Sequence, residues 1–462
     1  MHTLVILIMI SITLLDFVAA NTGAPAILKF VPEILSVVVT LYVLFEGVRK
    51  RFPNVALKYW LAFGGMTFII VCGILANGVG TGPILAGIRS YVRAVPMFLL
   101  PAVYDFTDKQ KTQQMKLLLA VGLLQIPITA YQRYIVWSEG RFSGDSVSGT
   151  LLHSGGLSIV LICFVLVLAG FALRQRLGRV TFLVLFFALL LPTTINETKA
   201  TVVLLPLGLV TTLVIGSPPG RRLRVAVWAL LLLASFSAVL IPIYDFTQER
   251  NPYKKELVTF FTDDKQLNGY LEAKHAGLGT TQQVGRSDAL MIPAHYLARD
   301  PIRVAFGLGL GNASHSSLGQ NFVGQYYDLF RQFVITSFTV FLLEIGVFGT
   351  ALVFLLYWLV FSDAVYVARR DDSMMGNIAI GWSGVVVVMG LATFYMPTHV
   401  FNSMAFLYWY YSGMVAARRT QMASEELRVA ASQRAARAAR RIVHSRSTSE
   451  RRDEQSLNQA GR

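Results

Sequence analysis

The chain has 462 residues, 54% of them hydrophobic and 15% charged, whereas roughly a quarter of residues are charged in a soluble domain. That composition excludes an ordinary soluble protein. The excess of 41 Lys and Arg over 26 Asp and Glu, a net charge of +15, suggests nucleic acid only until its placement is read. The apolar residues fall in blocks of about 20, the length that crosses a bilayer, and the basic residues lie between the blocks or in the tail.

The first block, residues 3–20, ends in Val18-Ala19-Ala20 but lacks the early Lys or Arg of a cleavable signal, so it is expected to remain as a first helix. Eleven further blocks follow at 31–48, 58–76, 84–104, 117–135, 150–172, 180–195, 199–216, 225–244, 335–361, 378–396 and 400–416. The expected fold is all-α, a polytopic helical membrane protein with about 12 transmembrane helices: nine in 1–244 and three in 332–416. Every second loop is basic: Arg49-Lys50-Arg51 with Lys58; Lys109, Lys111 and Lys116; Arg174, Arg176 and Arg179; Arg221, Arg222 and Arg224; Arg369 and Arg370. Basic loops stay in the cytoplasm, which puts both termini there and residues 245–331 outside.

That large extracytoplasmic loop carries nine basic and nine acidic residues and is neutral. Its length marks it as functional. Leu290, Met291, Ala294 and Leu297 have helical spacing, so a helix over 287–298 is expected to lie against the bundle. The tail, 417–462, holds 11 Arg and five acids; it reads as a basic helix on the inner membrane surface or as a disordered tail. Cys72 and Cys163 lie in apolar blocks and form no disulfide framework.

Ionisable groups at the edge of apolar spans are expensive and are candidates for function. Arg89 and Arg93 stand one helical turn apart at the outer end of the fourth block, a geometry suited to a diphosphate; the alternative is a buried acid as their partner. Asn196-Glu197-Thr198-Lys199 lies between two Leu-rich blocks, where Glu197 is a candidate general base and Lys199 its neighbour; a structural ion pair is the competing reading. Arg141, Asp145 and His153 flank a Gly- and Ser-containing loop, with His153 at the start of a helix. The long loop adds Arg286, His295, the sequence Phe306-Gly307-Leu308-Gly309-Leu310-Gly311-Asn312, and His315. The glycine run lacks the flanking strand and helix of a nucleotide loop and reads as a tight turn with close backbone approach. No metal-binding spacing occurs, and no cofactor is called for.

The layout resembles the O-antigen polymerase and O-antigen ligase superfamily of bacterial envelope glycosyltransferases. The matching pieces are Arg141-Phe142-Ser143-Gly144, Gly285-Arg286, Asp300-Pro301 followed by Phe306-Gly307-Leu308-Gly309, and Leu343-Glu344-Ile345-Gly346-Val347-Phe348-Gly349, in order over about 89–349. The resemblance implies metal-independent transfer of an undecaprenyl-diphosphate-linked glycan on the outer face of the bacterial inner membrane. It implies Arg286, with Arg89, Arg93 and Arg141, as contacts of the donor diphosphate. Family members often carry His-Asn before the Glu-x-Gly of the post-loop helix, where the His helps activate the acceptor; here that place is Ile335-Thr336. His315 is then the expected base, with His295 and Glu197 behind it. Expected partners are the lipid-linked glycan, membrane lipids and a chain-length regulator or export complex, not nucleic acid. The expected activity is polymerisation, with ligation to a lipid or protein acceptor, or solute transport, as rivals.

Overall fold

The structure is a computed structural model that describes all residues except 51, 53, 138–145, 249–261, 264–283, 317 and 461–462. The described residues contain helices and turns and no strand, as expected where lipid offers the backbone no hydrogen-bond partner. In chain order the main helices are α1 (His2–Asn21), α2 (Val31–Lys50), α3 (Leu57–Asn77), α4 (Thr81–Val92) and α5 (Val95–Val103). Then come α6 (Asp108–Val136), α7 (Ser154–Leu173), α8 (Arg179–Ile195), α9 (Thr201–Gly216) and α10 (Arg222–Gln248). Two shorter helices, α11 (Arg286–Leu297) and α12 (Pro301–Phe306), precede α13 (Ser337–Arg370), α14 (Met374–Ala392) and α15 (Asn402–Ala460).

Eight of these helices are each long and apolar enough to cross a membrane, and the pair α4 and α5, bent by 45°, makes a ninth if it counts as one span. α8 and α9 are shorter apolar helices, and α15 begins apolar but runs on into the polar tail. The protein is thus a polytopic helical membrane protein. Each of the twelve apolar blocks lies largely on a helix, with fewer meeting the length of a full span.

The core is built around α7, α14 and α9, which approach closely because small residues face each other. A methyl group on Gly170 would strike the backbone of Asn377, one on Gly381 the backbone of Leu166, and one on Gly384 the backbone of Gly208. Such contacts take the place of a hydrophobic driving force between helices in lipid.

The helices sort their connections to two ends. At one end Lys50 bonds the Val103 carbonyl, Lys58 pairs with Asp363, Arg174 with Asp372 and Arg418 with Asp371. The opposite end carries the residues around Glu33, Arg89, His153, Arg286 and Ser337 described below.

The segment after the long loop enters the bundle. Residues 306–313 run between α3, α4 and α13, with Gly307, Gly309 and Gly311 at φ of 74°, 92° and 75°. Here the expected tight turn with close backbone approach is found. A side chain at Gly311 would meet the backbone of Pro83 and Gly87, and one at Gly73 the carbonyl of Phe306. α13 is itself broken at Gly346, where φ is 66°, and Leu308 N–H bonds the Leu343 carbonyl at 2.6 Å across the break. Glu344, 1% exposed, accepts from the Ala313 N–H at 3.4 Å, so the motif carboxylate pins the glycine run to the broken helix.

The helix expected over 287–298 is α11, but its face is rotated. Ala289, Pro293 and Leu297 are buried, whereas Met291 is 52% exposed. Thr339 on α13 donates to the Ala289 carbonyl, and Leu290, Ile292 and Ala294 are partly buried against the same cluster.

Candidate functional site

The connection between α14 and α15, residues 393–401, gathers the end of the bundle opposite the basic loops. Arg286, at the first position of α11, donates from Nη1 to the Tyr395 carbonyl at 2.6 Å and lies over the Tyr395 ring at 5.3 Å. Arg93, just beyond α4, donates to the Val400 carbonyl. His153 packs its ring 4.5 Å from Phe401. His399 bonds Ser337 Oγ through Nδ1 at 2.8 Å. Three residues singled out in the sequence, from three separate segments, therefore meet one nine-residue connection.

Arg89 and Arg93 do project together, and both reach Glu33 at the start of α2. Arg89 engages the carboxylate at 2.7 and 2.6 Å through Nε and Nη2, and Arg93 Nη1 lies 3.1 Å from the same Oε1. The partner acid was the alternative reading, and it is present, yet two guanidinium groups share one carboxylate. Arg93 is nine-tenths buried at its side chain, and its Nε has no hydrogen-bond partner among the described residues.

The next layer is formed by α6, α7 and the α8–α9 turn. Gln132 accepts from Ser148 and Gly149 N–H at 3.1 and 2.8 Å, and Gln125 bonds both N and Oγ1 of Thr150 at 2.9 Å. These two glutamines hold residues 148–150 against α6 and so deliver His153 to its place. His153 Nδ1 accepts from Gly156 N–H at 3.2 Å, capping α7. Asn196 donates to the Ser154 carbonyl at 2.9 Å, and Glu197, held at φ 60°, pairs with Arg133 at 2.9 Å. Arg133 is 6% exposed and Glu197 12%, so Glu197 stands in an ion pair with Arg133, a residue the sequence reading had not paired with it. Lys199, two residues on, is half-buried.

The other candidates stand apart. His315 is exposed, with its ring 5.4 Å from that of Tyr327. His295 is exposed on α11 and bonds the Met291 carbonyl one turn back at 2.7 Å. Arg141 and Asp145 lie outside the described residues. Among the described residues no group of three or more His, Cys, Asp or Glu is placed to hold a metal.

His399 was missed because it sits in a three-residue gap, Pro397-Thr398-His399, that reads as a plain turn between two apolar blocks. The rule that selected Arg89, an ionisable group at the edge of a span, selects it equally. Its ring packs against those of Tyr91 and Phe341, at 5.4 and 4.8 Å, which also touch each other at 5.7 Å. Burial, with the Arg93 charge adding to it, pushes its imidazole down to about 3, so the ring is neutral at physiological pH. Beneath it opens an apolar cavity of about 230 Å³ whose wall includes Trp60, Phe63, Tyr91, Tyr357, His399 and Trp409. Comparison with protein-family models and with curated proteins gave no match for this chain.

Proposed function

We propose that this protein is a membrane glycosyltransferase that polymerises a lipid-linked glycan on the outer face of the bacterial inner membrane. The donor is an undecaprenyl-diphosphate-linked glycan, and the acceptor is the sugar hydroxyl of a second lipid-linked repeat. The observation that carries this reading is that Arg286 and Arg93 both reach residues 393–401, a connection whose Thr398 and His399 line an apolar cavity suited to a lipid chain. In the reaction the acceptor oxygen bonds to the anomeric carbon, the bond from that carbon to the diphosphate breaks, and the electron pair leaves on the diphosphate. Guanidinium groups fixed in a site of low dielectric stabilise that developing charge. The acceptor's proton goes to one of His315, His295 and Glu197; of these, Glu197 stands beside the segment that carries His153.

The rival reading is ligation. His399 lies against Ser337, next to the Ile335-Thr336 positions where the resembling family carries its histidine, but burial beside Arg93 holds its imidazole down at about 3, so it does not restore a base for the acceptor.

Purified protein given lipid-linked repeat alone separates the activities, since ladders without a second acceptor type mean polymerisation. Arg286→Ala is expected to lower the rate by about 10² or more while the protein inserts normally, and Arg174→Ala at the opposite end is expected to leave it unchanged. Wild-type polymer yield from Arg286→Ala would sink the assignment of the site. Solute uptake into liposomes without glycan chemistry would replace it with transport.

A further inference from the structure

His399 ends a chain of hydrogen bonds whose direction can be worked out from the donor inventory. Ser337 Oγ, fully buried, has three neighbours: His399 Nδ1 at 2.8 Å, Thr398 Oγ1 at 3.0 Å and the His399 backbone N–H, which donates to it at 3.4 Å. Thr398 is 1% exposed, and among the described residues its hydroxyl bonds Ser337 alone. A serine hydroxyl has one proton and two lone pairs, so only two arrangements satisfy it.

In the first, Nδ1–H donates to Ser337 and Ser337 to Thr398. The hydroxyl proton of the buried Thr398 is then left with no acceptor among the described residues. In the second, Thr398 donates to Ser337 and Ser337 to Nδ1. Every proton of the chain is then used. An unsatisfied buried donor is the rarer and costlier defect. The second arrangement is therefore the stable one, and it leaves the imidazole proton on Nε2, for which no described residue provides a partner.

We infer that His399 is a neutral hydrogen-bond donor that, with Arg93, binds a phosphate oxygen of a diphosphate ligand, and that Ser337 is the positioning residue that fixes its tautomer. One feature of Arg93 makes an anion the fitting ligand: its buried Nε has no hydrogen-bond partner among the described residues, while Glu33 and, farther off, Asp16 face its charge. The neutral state of the ring follows from its burial beside Arg93, and such a ring is a poor base but a good donor. Tyr91 and Phe341, themselves in contact, pack against the ring, and the cavity in whose wall it sits offers room for an apolar chain attached to the anion. This inference rests on the proposed donor class, but its test does not require turnover.

The full-length protein, labelled with ¹⁵N-histidine in lipid nanodiscs, reports the tautomer. At pH 7 the wild type is expected to show Nε2 protonated and Nδ1 bare at His399, and Ser337→Ala to shift this toward a mixture. An Nδ1–H signal or an imidazolium in the wild type overturns the proposal. Binding is measured with farnesyl diphosphate and, separately, inorganic pyrophosphate. His399→Phe keeps a ring but loses the donor and is expected to weaken farnesyl diphosphate binding about tenfold or more, whereas His399→Gln keeps a donor and most of the affinity. Equal loss for pyrophosphate supports recognition of the free anion, and loss confined to farnesyl diphosphate supports recognition of a lipid headgroup; unchanged affinity for both in His399→Phe overturns the site. A wild type that binds through His399 yet makes no polymer sinks the polymerase reading alone. Normal polymer together with His399-independent binding sinks this inference alone.

Discussion

The two ends of the bundle use charge differently. At the basic-loop end each buried acid has its own partner: Asp363 takes Lys58 and the Tyr59 hydroxyl, Asp371 takes Arg418 and the Ser373 N–H, and Glu46 takes Arg49 and Lys50 from its own helix. At the other end Glu33 serves two guanidinium groups from a different segment, while Arg286 reaches a carbonyl and a ring on the 393–401 connection. Charges of the first kind fasten helices to one another. Charges of the second kind gather several segments around one carboxylate and one connection.

Removing the acid at each end is the strongest way to test that contrast. Glu33→Gln leaves two largely buried guanidinium groups facing each other and is expected to cost roughly 3 kcal/mol, read as a lower melting temperature in detergent. Asp371→Asn, whose partner Arg418 also approaches Glu425, is expected to cost about 1 kcal/mol or less. Equal losses would mean that the two ends are built alike.

A smaller effect is expected at the glycine run. Gly311→Ala adds a methyl group at φ 75° against the backbone of Pro83, with an expected loss of about 2 kcal/mol. Hydrogen exchange should rise across residues 306–313 and not at 371–373.

Acid should reach the two ends in sequence. His399 falls from its ordinary 6.5 to about 3 on folding, so below pH 6.5 the unfolded chain takes up a proton that the folded chain refuses, and stability is lost as pH falls toward 3. Burial pushes the Asp371 carboxyl up from its ordinary 3.8, but bonds from Arg418 and Ser373 outweigh it and hold it below that value. Its contribution is present above pH 3.8 and is lost as pH falls through the lower folded value. Melting temperature measured from pH 7 to 4 should therefore respond to His399→Gln, and Asp371→Asn should change the profile only below about 4. A profile unaltered by His399→Gln above pH 4 would contradict the assignment.

The helices were legible because a bilayer dictates the length and composition of an apolar run. Arg89 and Arg93 were legible as a pair because both lie on one turn. Their shared partner was not, since Glu33 is 56 residues upstream of Arg89 and reads locally as a polar residue at the start of a block. His399 and Ser337 are 62 positions apart, and nothing in either segment announces the other. The motif around Glu344 was visible, but the partnership of its carboxylate with Ala313, 31 residues earlier, depends on where the glycine run is seated. The rotation of α11 likewise goes with contacts to a distant segment, among them the bond from Thr339 to the Ala289 carbonyl.

That seat has a consequence for how the molecule is made. The notch between α3 and α4 is floored by Gly73 and Gly87, and what fills it is the backbone of residues 306–311, which is synthesised more than 200 residues later. The first helices consequently enter the membrane with an open slot, and they reach their final spacing only after Gly346 has been translated and the break in α13 can close over the inserted strand of chain. Assembly of the N-terminal helices thus waits on the second half of the polypeptide, and a ribosome stalled before residue 306 would leave a bundle whose central gap lipid or another protein is free to occupy.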